Sequence, residues 1–255
     1  MNFAPLASDS DIERWLARAN RSLEILERRL GRLDSPRADA QGVSMLSNSY
    51  VGRGYAHIAR SDFVAARTAL CKAVNAMNAL YDLIATGNHK AQGYDRSGNF
   101  QTLLLAHATG DLNVVSSFSR RFSISATASS AGPDDSTYLA SACIALTHGT
   151  IDDADRGLAD ERPEINRLFA GYDLCLGAIA RQDSIEFVDN LSDAAAAWHK
   201  YSLANYQWLP CSVCFLDGVG LLHLARTVLG DATLTTESRY IPEALLDSDR
   251  RFGVG

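Results

Sequence analysis

Residues 168–198, LFAGYDLCLGAIARQDSIEFVDNLSDAAAAW, contain two helical patterns separated by a short polar break. In this break, Arg181-Gln182-Asp183, polar residues end one helix and the aspartate caps the free amides of the next. The negative charge of Asp183 also suits the positive end of the helix that it starts. The stretch therefore predicts a helical hairpin. The apolar faces of its two helices are Leu168, Tyr172, Cys175 and Ile179, and then Ile185, Val188, Leu191, Ala195 and Trp198.

The same break recurs along the chain. A helical pattern ends in small or basic residues and an aspartate follows at Asp62, Asp111, Asp152 and Asp183, and more faintly at Asp231. These aspartates are 49, 41, 31 and 48 residues apart, in or near the range of two-helix repeats but without a fixed period. Strand-like alternation is weak throughout. The sequence predicts an all-α fold: a single domain of stacked antiparallel helical hairpins, a degenerate tetratricopeptide-like array.

The predicted domain covers residues 1–255. Ser10 and Glu13 fit a capping box at the start of an amphipathic opening helix. A possible strand at 122–128 is short and serine-rich, so we interpret it as a loop. The expected segments are the opening helix at 8–31, helical hairpins at 44–204, a closing helix with a C-terminal segment at 211–255, and long connections at 32–43, 86–98 and 123–133.

Composition narrows the class of protein. With 47% hydrophobic and 21% charged residues, the 255-residue chain can bury a large core. The N-terminus lacks the pattern of a signal peptide, and no stretch is long and apolar enough to cross a bilayer. Five cysteines without a disulfide-framework spacing predict free thiols, so we expect a cytoplasmic protein without membrane contact.

The charge is unevenly distributed. Residues 1–133 carry 15 Lys and Arg against 11 Asp and Glu, whereas residues 134–200 carry 13 acids against 5 bases. An acidic surface of this kind repels nucleic acid and increases the rate of encounter with basic proteins. We therefore expect a protein partner with a basic contact surface and no nucleic-acid ligand.

Two short motifs have the spacing of metal sites. Cys211-Ser212-Val213-Cys214 lacks the second pair of ligands that structural zinc needs, so a buried structural pair is the better interpretation. The acids of residues 152–155, Asp-Asp-Ala-Asp, resemble the magnesium motif of helical prenyl-transfer enzymes, but no second such motif or basic cluster accompanies them. We predict no metal, no cofactor and no enzymatic activity.

Histidines and glycines have structural explanations. His57, His107 and His148 stand four or five residues before the capping aspartates, at helix C-termini where a cation complements the dipole.

Gly218-Val219-Gly220 has neither a preceding strand nor the third glycine of a dinucleotide-binding motif. We expect these glycines to permit close helix packing.

The C-terminal sequence carries a resemblance to a known family. Residues 217–226, DGVGLLHLAR, are followed by a polar link and then by residues 240–246, YIPEALL. A glycine-interrupted apolar helix ending in Leu-Ala-Arg, followed by a segment that begins at proline, resembles the immunity proteins of bacterial polymorphic toxin systems, most closely the family catalogued as immunity protein 49. The match covers about the last forty residues.

The resemblance implies a cytoplasmic protein that binds and neutralises a cognate toxin and needs no catalytic residues. An adaptor that binds peptides in the groove of a helical array is the alternative, and an all-helical enzyme ranks last. The acidic middle of the chain is the expected contact surface, although an ordinary solvated acidic face would have the same sequence. The candidate contact residues are Asp152, Asp153, Asp155, Asp160, Glu161 and Glu164.

Overall fold

The computed structural model confirms the all-α fold. It describes residues 7–31, 39–85, 99–126, 135–159, 163–205 and 209–246, and these ranges contain helices and no strands. Short 3-10 helices lie at Arg167–Phe169, Pro210–Ser212 and Glu243–Leu245. The α-helices are α1 (Asp9–Leu30), α2 (Ala40–Ala59), α3 (Phe63–Ala85), α4 (Asn99–Ala108), α5 (Leu112–Ala126), α6 (Asp135–Thr147), α7 (Ile151–Ala159), α8 (Tyr172–Ala180), α9 (Ser184–Asn205) and α10 (Leu216–Val228).

Consecutive helices form hairpins, as predicted. α2 packs against α3, α4 against α5, α6 against α7 and α8 against α9, while the opening helix α1 packs on α2. Buried apolar side chains from all of these helices form one continuous core. The fold is thus held together by contacts between neighbouring hairpins around a shared core.

The predicted aspartate caps are confirmed at three hairpin turns. Oδ1 of Asp62 accepts a hydrogen bond from the Ala65 amide, and Asp111 and Asp183 cap α5 and α9 in the same way. In the α2–α3 and α8–α9 turns, Ser61 and Gln182 adopt left-handed backbone conformations with φ of 58° and 57°. This geometry ends the first helix and positions the aspartate to start the second.

Three predicted helix caps are wrong. Asp152 lies in the first turn of α7, whose first amide hydrogen bonds are accepted by the Thr150 carbonyl. Asp231 accepts hydrogen bonds from the amide and the hydroxyl of Thr233 in a turn. The next helical element after Asp231 in the described residues is the 3-10 helix Glu243–Leu245, so Asp231 begins no helix. The capping box of α1 is formed by Ser8 and Asp11, two residues before Ser10 and Glu13, since Ser8 has the extended backbone that a cap requires.

The long connections are shorter than predicted. α2 begins at Ala40, where the side chain of Asp39 caps it by accepting from the Gly42 amide, so residues 40–43 are helical. α5 continues to Ala126, which makes residues 123–126 helical rather than part of a loop. Residues 32–38, 86–98 and 127–134 lie outside the described ranges.

The C-terminal helix occupies a central position. α10, predicted as a closing helix, packs against α4, α6 and α8, which are the first helices of three hairpins, and also against α9. The 3-10 helix Pro210–Ser212 that precedes it contacts α2, the first helix of the remaining hairpin. In a regular array each repeat contacts only its neighbours. Here the segment 210–228 instead lies along the surface that the first helices of all four hairpins share.

Glycines permit this packing. A Cβ atom on Gly220 of α10 would lie 2.2 Å from the carbonyl oxygen of Leu104 in α4, and one on Gly218 would lie 2.4 Å from the ring of Phe215. The prediction of close helix approach is confirmed for Gly220, whereas Gly218 leaves room for the side chains of Phe215, directly before α10, and of Ile241 in the C-terminal segment. The backbones of α4 and α10 meet at a distance that no other residue type tolerates without movement.

Candidate functional site

The acidic candidates on α7 form an exposed surface, which we call the acidic face: Asp152, Asp153 and Asp155. Only Ala154 is buried in this helix. Arg156 pairs with the Asp153 carboxylate, and its guanidinium also donates to the carbonyl of Asp152. Among the described residues, no basic side chain pairs with the carboxylates of Asp152 or Asp155, which leaves this surface with an excess of negative charge.

The remaining acidic candidates follow α7 in the chain. Glu164 is exposed and lines a shallow depression with Asp135 and Arg167, where Oδ2 of Asp135 accepts a hydrogen bond from the Asn166 amide at 2.9 Å. Asp160 and Glu161 lie outside the described residues. The structure therefore places four of the six candidate residues, and all four are exposed.

The cysteines are not poised for chemistry. All five are free thiols, as predicted. Cys214 is buried and Cys211 half-buried, and burial raises the pKa of both thiols. A raised pKa keeps a thiol protonated and unreactive. Within the described part of the chain, no three His, Cys, Asp or Glu side chains are grouped as metal ligands would be.

The predicted role of the histidines at helix C-termini, as cations that complement the helix dipole, does not hold for all three. His57 and His107 lie in the last turns of α2 and α4, and His148 directly follows α6. Burial lowers the pKa of His57 and lowers that of His107 to about 3. A neutral imidazole does not complement the helix dipole as a cation does. The charge-based explanation is therefore wrong for His107, which instead packs at the contact between α4 and α10.

An ion pair joins the two parts of the C-terminal motif. Arg226, the arginine of Leu-Ala-Arg, donates to Oε2 of Glu243 at 2.8 Å, and only 10% and 21% of the two side chains is exposed. Arg226 also donates to the Leu234 carbonyl, and Oε1 of Glu243 accepts from the Thr236 amide. The pair thereby fixes the polar link between α10 and the proline-initiated segment.

Replacing Glu243 by Gln will test this ion pair. The substitution keeps the shape but removes the negative charge that pairs with the largely buried Arg226 cation, which costs about 3 kcal/mol of unfolding free energy. Urea denaturation measures the loss. Glu24→Gln is the matched control, because its pair with Arg28 is 69% and 80% exposed and such surface pairs contribute about 0–1 kcal/mol. Equal effects of the two substitutions would show that the pair does not stabilise the C-terminal segment.

A cavity of about 330 Å³ lies between α2, α3, α4 and the start of α10. We call it the Asp217 cavity, because this carboxylate is the one charged group among the described residues that line it. Oδ2 of Asp217 accepts a hydrogen bond from the buried Tyr172 hydroxyl at 3.0 Å, and the Gln101 side chain also hydrogen-bonds to the carboxylate. Burial raises the pKa of Asp217 to about 6. The two hydrogen bonds lower this pKa, but the effect of burial is larger.

Sequence reasoning did not single out Asp217. The only local signal is one acid between Leu216 and Gly218 in an apolar helix, which is also where a helix dipole favours an acid. The partners that define the cavity come from distant parts of the chain. Tyr172, for example, is 45 residues away.

Comparison of the chain with protein-family models, with curated proteins and with solved structures found no match. Among the described residues, no helix combines the length and apolar character needed to span a membrane. Any function must therefore be argued from the residues themselves.

Proposed function

We propose that this chain is an immunity protein that binds and neutralises a cognate bacterial toxin by protein–protein contact in the producer's cytoplasm. The observation that carries the proposal is the acidic face of α7. Three carboxylates project from a helix that buries a single side chain, in the most acidic part of the sequence. Such a surface is complementary to a basic partner and steers it during encounter.

The C-terminal motif supports the same proposal. The residues that resemble the immunity family are the ones that the Arg226–Glu243 pair and the glycines of α10 hold in place. They form a rigid support rather than a reactive site. A protein that acts by covering its partner needs a rigid scaffold and an exposed complementary surface, and it needs no catalytic group.

The alternative of a peptide-binding adaptor is less well supported. Tetratricopeptide-like arrays bind extended ligands on a concave surface. In this chain the segment 210–228 contacts the first helices of all four hairpins, so the chain's own C-terminal region occupies their shared surface. The exposed α7 is therefore the better candidate for partner contact.

Charge reversal of the acidic face tests the proposal. We expect Asp152→Lys, Asp153→Lys and Asp155→Lys together to weaken toxin binding at least about 100-fold, because three attractive contacts become repulsive. The unfolding free energy should fall by about 1–2 kcal/mol, because Asp152 and Asp153 lie in the first turn of α7, where the helix dipole favours acids, but the protein should stay folded since all three side chains are exposed. Surface plasmon resonance at two salt concentrations would measure the affinity and its electrostatic part.

A matched control makes the same change in net charge elsewhere. Asp9, Glu24 and Glu237 are exposed acids outside residues 134–200, and their reversal to Lys should leave toxin affinity within about threefold of the original. Equal losses in both triple variants would mean that only net charge matters. Unchanged affinity in the α7 variant would overturn α7 as the contact surface.

A further inference from the structure

The Asp217 cavity has the composition of a ligand site rather than of a packing defect. Its volume of about 330 Å³ is within the range of small-molecule pockets, and empty packing defects in proteins are small and apolar. Its polar lining includes Ser44, Asn48, Thr102 and Asp217. Asn48 is exposed, so the cavity opens to solvent beside α2.

The cavity also has an apolar lining. Val51, Met77 and Leu105, from α2, α3 and α4, provide aliphatic surface. A pocket with one charged group and a hydrophobic wall selects ligands that carry the opposite charge on a short apolar body. The dimensions suit a ligand with a few carbon atoms.

The carboxylate lacks a cationic partner in the described part of the chain. Its hydrogen-bond donors are the neutral Tyr172 hydroxyl and Gln101 amide. Among the described residues, no Lys, Arg or His forms an ion pair with Asp217. A buried carboxylate without a counter-charge is energetically unfavourable, and a bound cation relieves that cost.

We propose that the Asp217 cavity binds a small organic cation, an alkylguanidinium or alkylammonium, through an ion pair with Asp217. The Tyr172 and Gln101 donors fix the orientation of the carboxylate, and the alkyl group contacts Val51, Met77 and Leu105. A guanidinium fits a fixed carboxylate especially well because it can donate two parallel hydrogen bonds. This site is separate from the acidic face and does not depend on the proposed immunity function.

Calorimetric titration of the full chain with n-butylguanidinium tests the site. Neutral n-butylurea has nearly the same shape and is the ligand control. We expect n-butylguanidinium to bind at least about tenfold more tightly than n-butylurea, a difference of about 1.4 kcal/mol. Equal affinities, or no binding of n-butylguanidinium to the folded protein, would overturn the proposal.

Three variants separate the site from nonspecific charge effects. Asp217→Asn, which can still accept from Tyr172, should lose the tenfold preference for the cation, whereas Asp193→Asn, at an exposed acid on α9, should keep it. Asn48→Trp, at the exposed rim, should block entry and abolish binding without altering the carboxylate. Circular dichroism confirms that each variant is folded. Retention of the preference in Asp217→Asn would show that a different group binds the cation.

Discussion

Gly220→Ala should destabilise the protein by about 3 kcal/mol or more, because the added methyl group meets backbone rather than a movable side chain. Its Cβ would lie 2.2 Å from the carbonyl oxygen, 2.8 Å from the carbonyl carbon and 3.0 Å from the Cα of Leu104. Relief requires α10 to move away from α4. That movement would separate α4 from α10, so we also expect the Gly220→Ala protein to be partially unfolded or aggregated if it cannot accommodate the methyl group.

Gly157→Ala is the matched control for Gly220→Ala. Gly157 lies in α7, is exposed, and a Cβ there would meet nothing within 4 Å. Alanine favours the helical state, so this variant should gain about 0.5–1 kcal/mol. Urea denaturation followed by circular dichroism measures both changes. Equal stability of the two variants would contradict the close α4–α10 packing on which the fold depends.

Acidification should destabilise the same α4–α10 contact. Nδ1 of His107 in α4 lies 3.4 Å from Nδ1 of His223 in α10, and Nε2 of His107 lies 3.0 Å from the Thr147 hydroxyl. That hydroxyl donates its proton to the Cys143 carbonyl. His107 must therefore donate from Nε2 and accept at Nδ1, which makes His223 the donor between the two rings.

Protonation of His107 puts a proton on its acceptor Nδ1, where it meets the Nδ1–H of His223. Protonation of His223 leaves that hydrogen bond in place but puts a second cation close to Arg226 at a largely buried position. Burial lowers the pKa of His107 to about 3 and that of His223 to about 4, and the Arg226 cation further lowers the latter. In the unfolded chain both titrate near 6.5. The unfolded state therefore binds more protons below pH 6.5, and stability is lost as the pH falls from 6.5 towards 4. The two histidines together account for about 5 kcal/mol of loss by pH 4.5.

Asp217 acts in the opposite direction over part of this range. Its pKa is raised to about 6 from the ordinary 3.8, so the folded state takes up its proton first and gains about 2 kcal/mol between pH 7.5 and 4.5. The net loss that these three groups cause by pH 4.5 is therefore about 3 kcal/mol. Urea midpoints measured between pH 4.5 and 7.5 give the net slope.

Single histidine variants isolate the effect. His107→Gln can still donate to Thr147 but does not titrate, so its stability should fall less steeply with acid, by about 1.4 kcal/mol per pH unit below 6. His148→Gln, at an exposed imidazole, is the control for the change of residue type. An identical pH dependence in the original chain and in His107→Gln would contradict the buried, neutral assignment of His107.

Local features of the fold were predictable from the sequence. The aspartates at 62, 111 and 183 cap helices because the capping interaction lies within three residues of the cap, and hydrophobic spacing identified the helices themselves. The prediction was wrong at Asp152, because the Thr150 carbonyl accepts the first amide hydrogen bonds of α7. It was also wrong at Asp231, which lies in a turn that no helix directly follows. An Asp-containing break fits several local geometries, and only tertiary contacts decide between them.

Long-range features were not predictable. His107 and His223 are 116 residues apart in the chain, and nothing in either local sequence indicates that they meet. The same holds for the contact of α10 with the first helices of the hairpins. Gly218 and Gly220 indicated a close approach, but the identity of the partner, α4, comes only from the structure. Asp217 was missed because its cavity forms from four separate helices.

Co-expression of the chain with the product of the gene immediately upstream tests the central claim most directly. We expect the upstream product to halt growth when expressed alone. The chain should restore growth and co-purify with that product as a stable complex. The variant with Lys at 152, 153 and 155 should lose both effects, although it remains folded. A harmless upstream product, or a toxic one that neither binds the chain nor is neutralised by it, would contradict the immunity function.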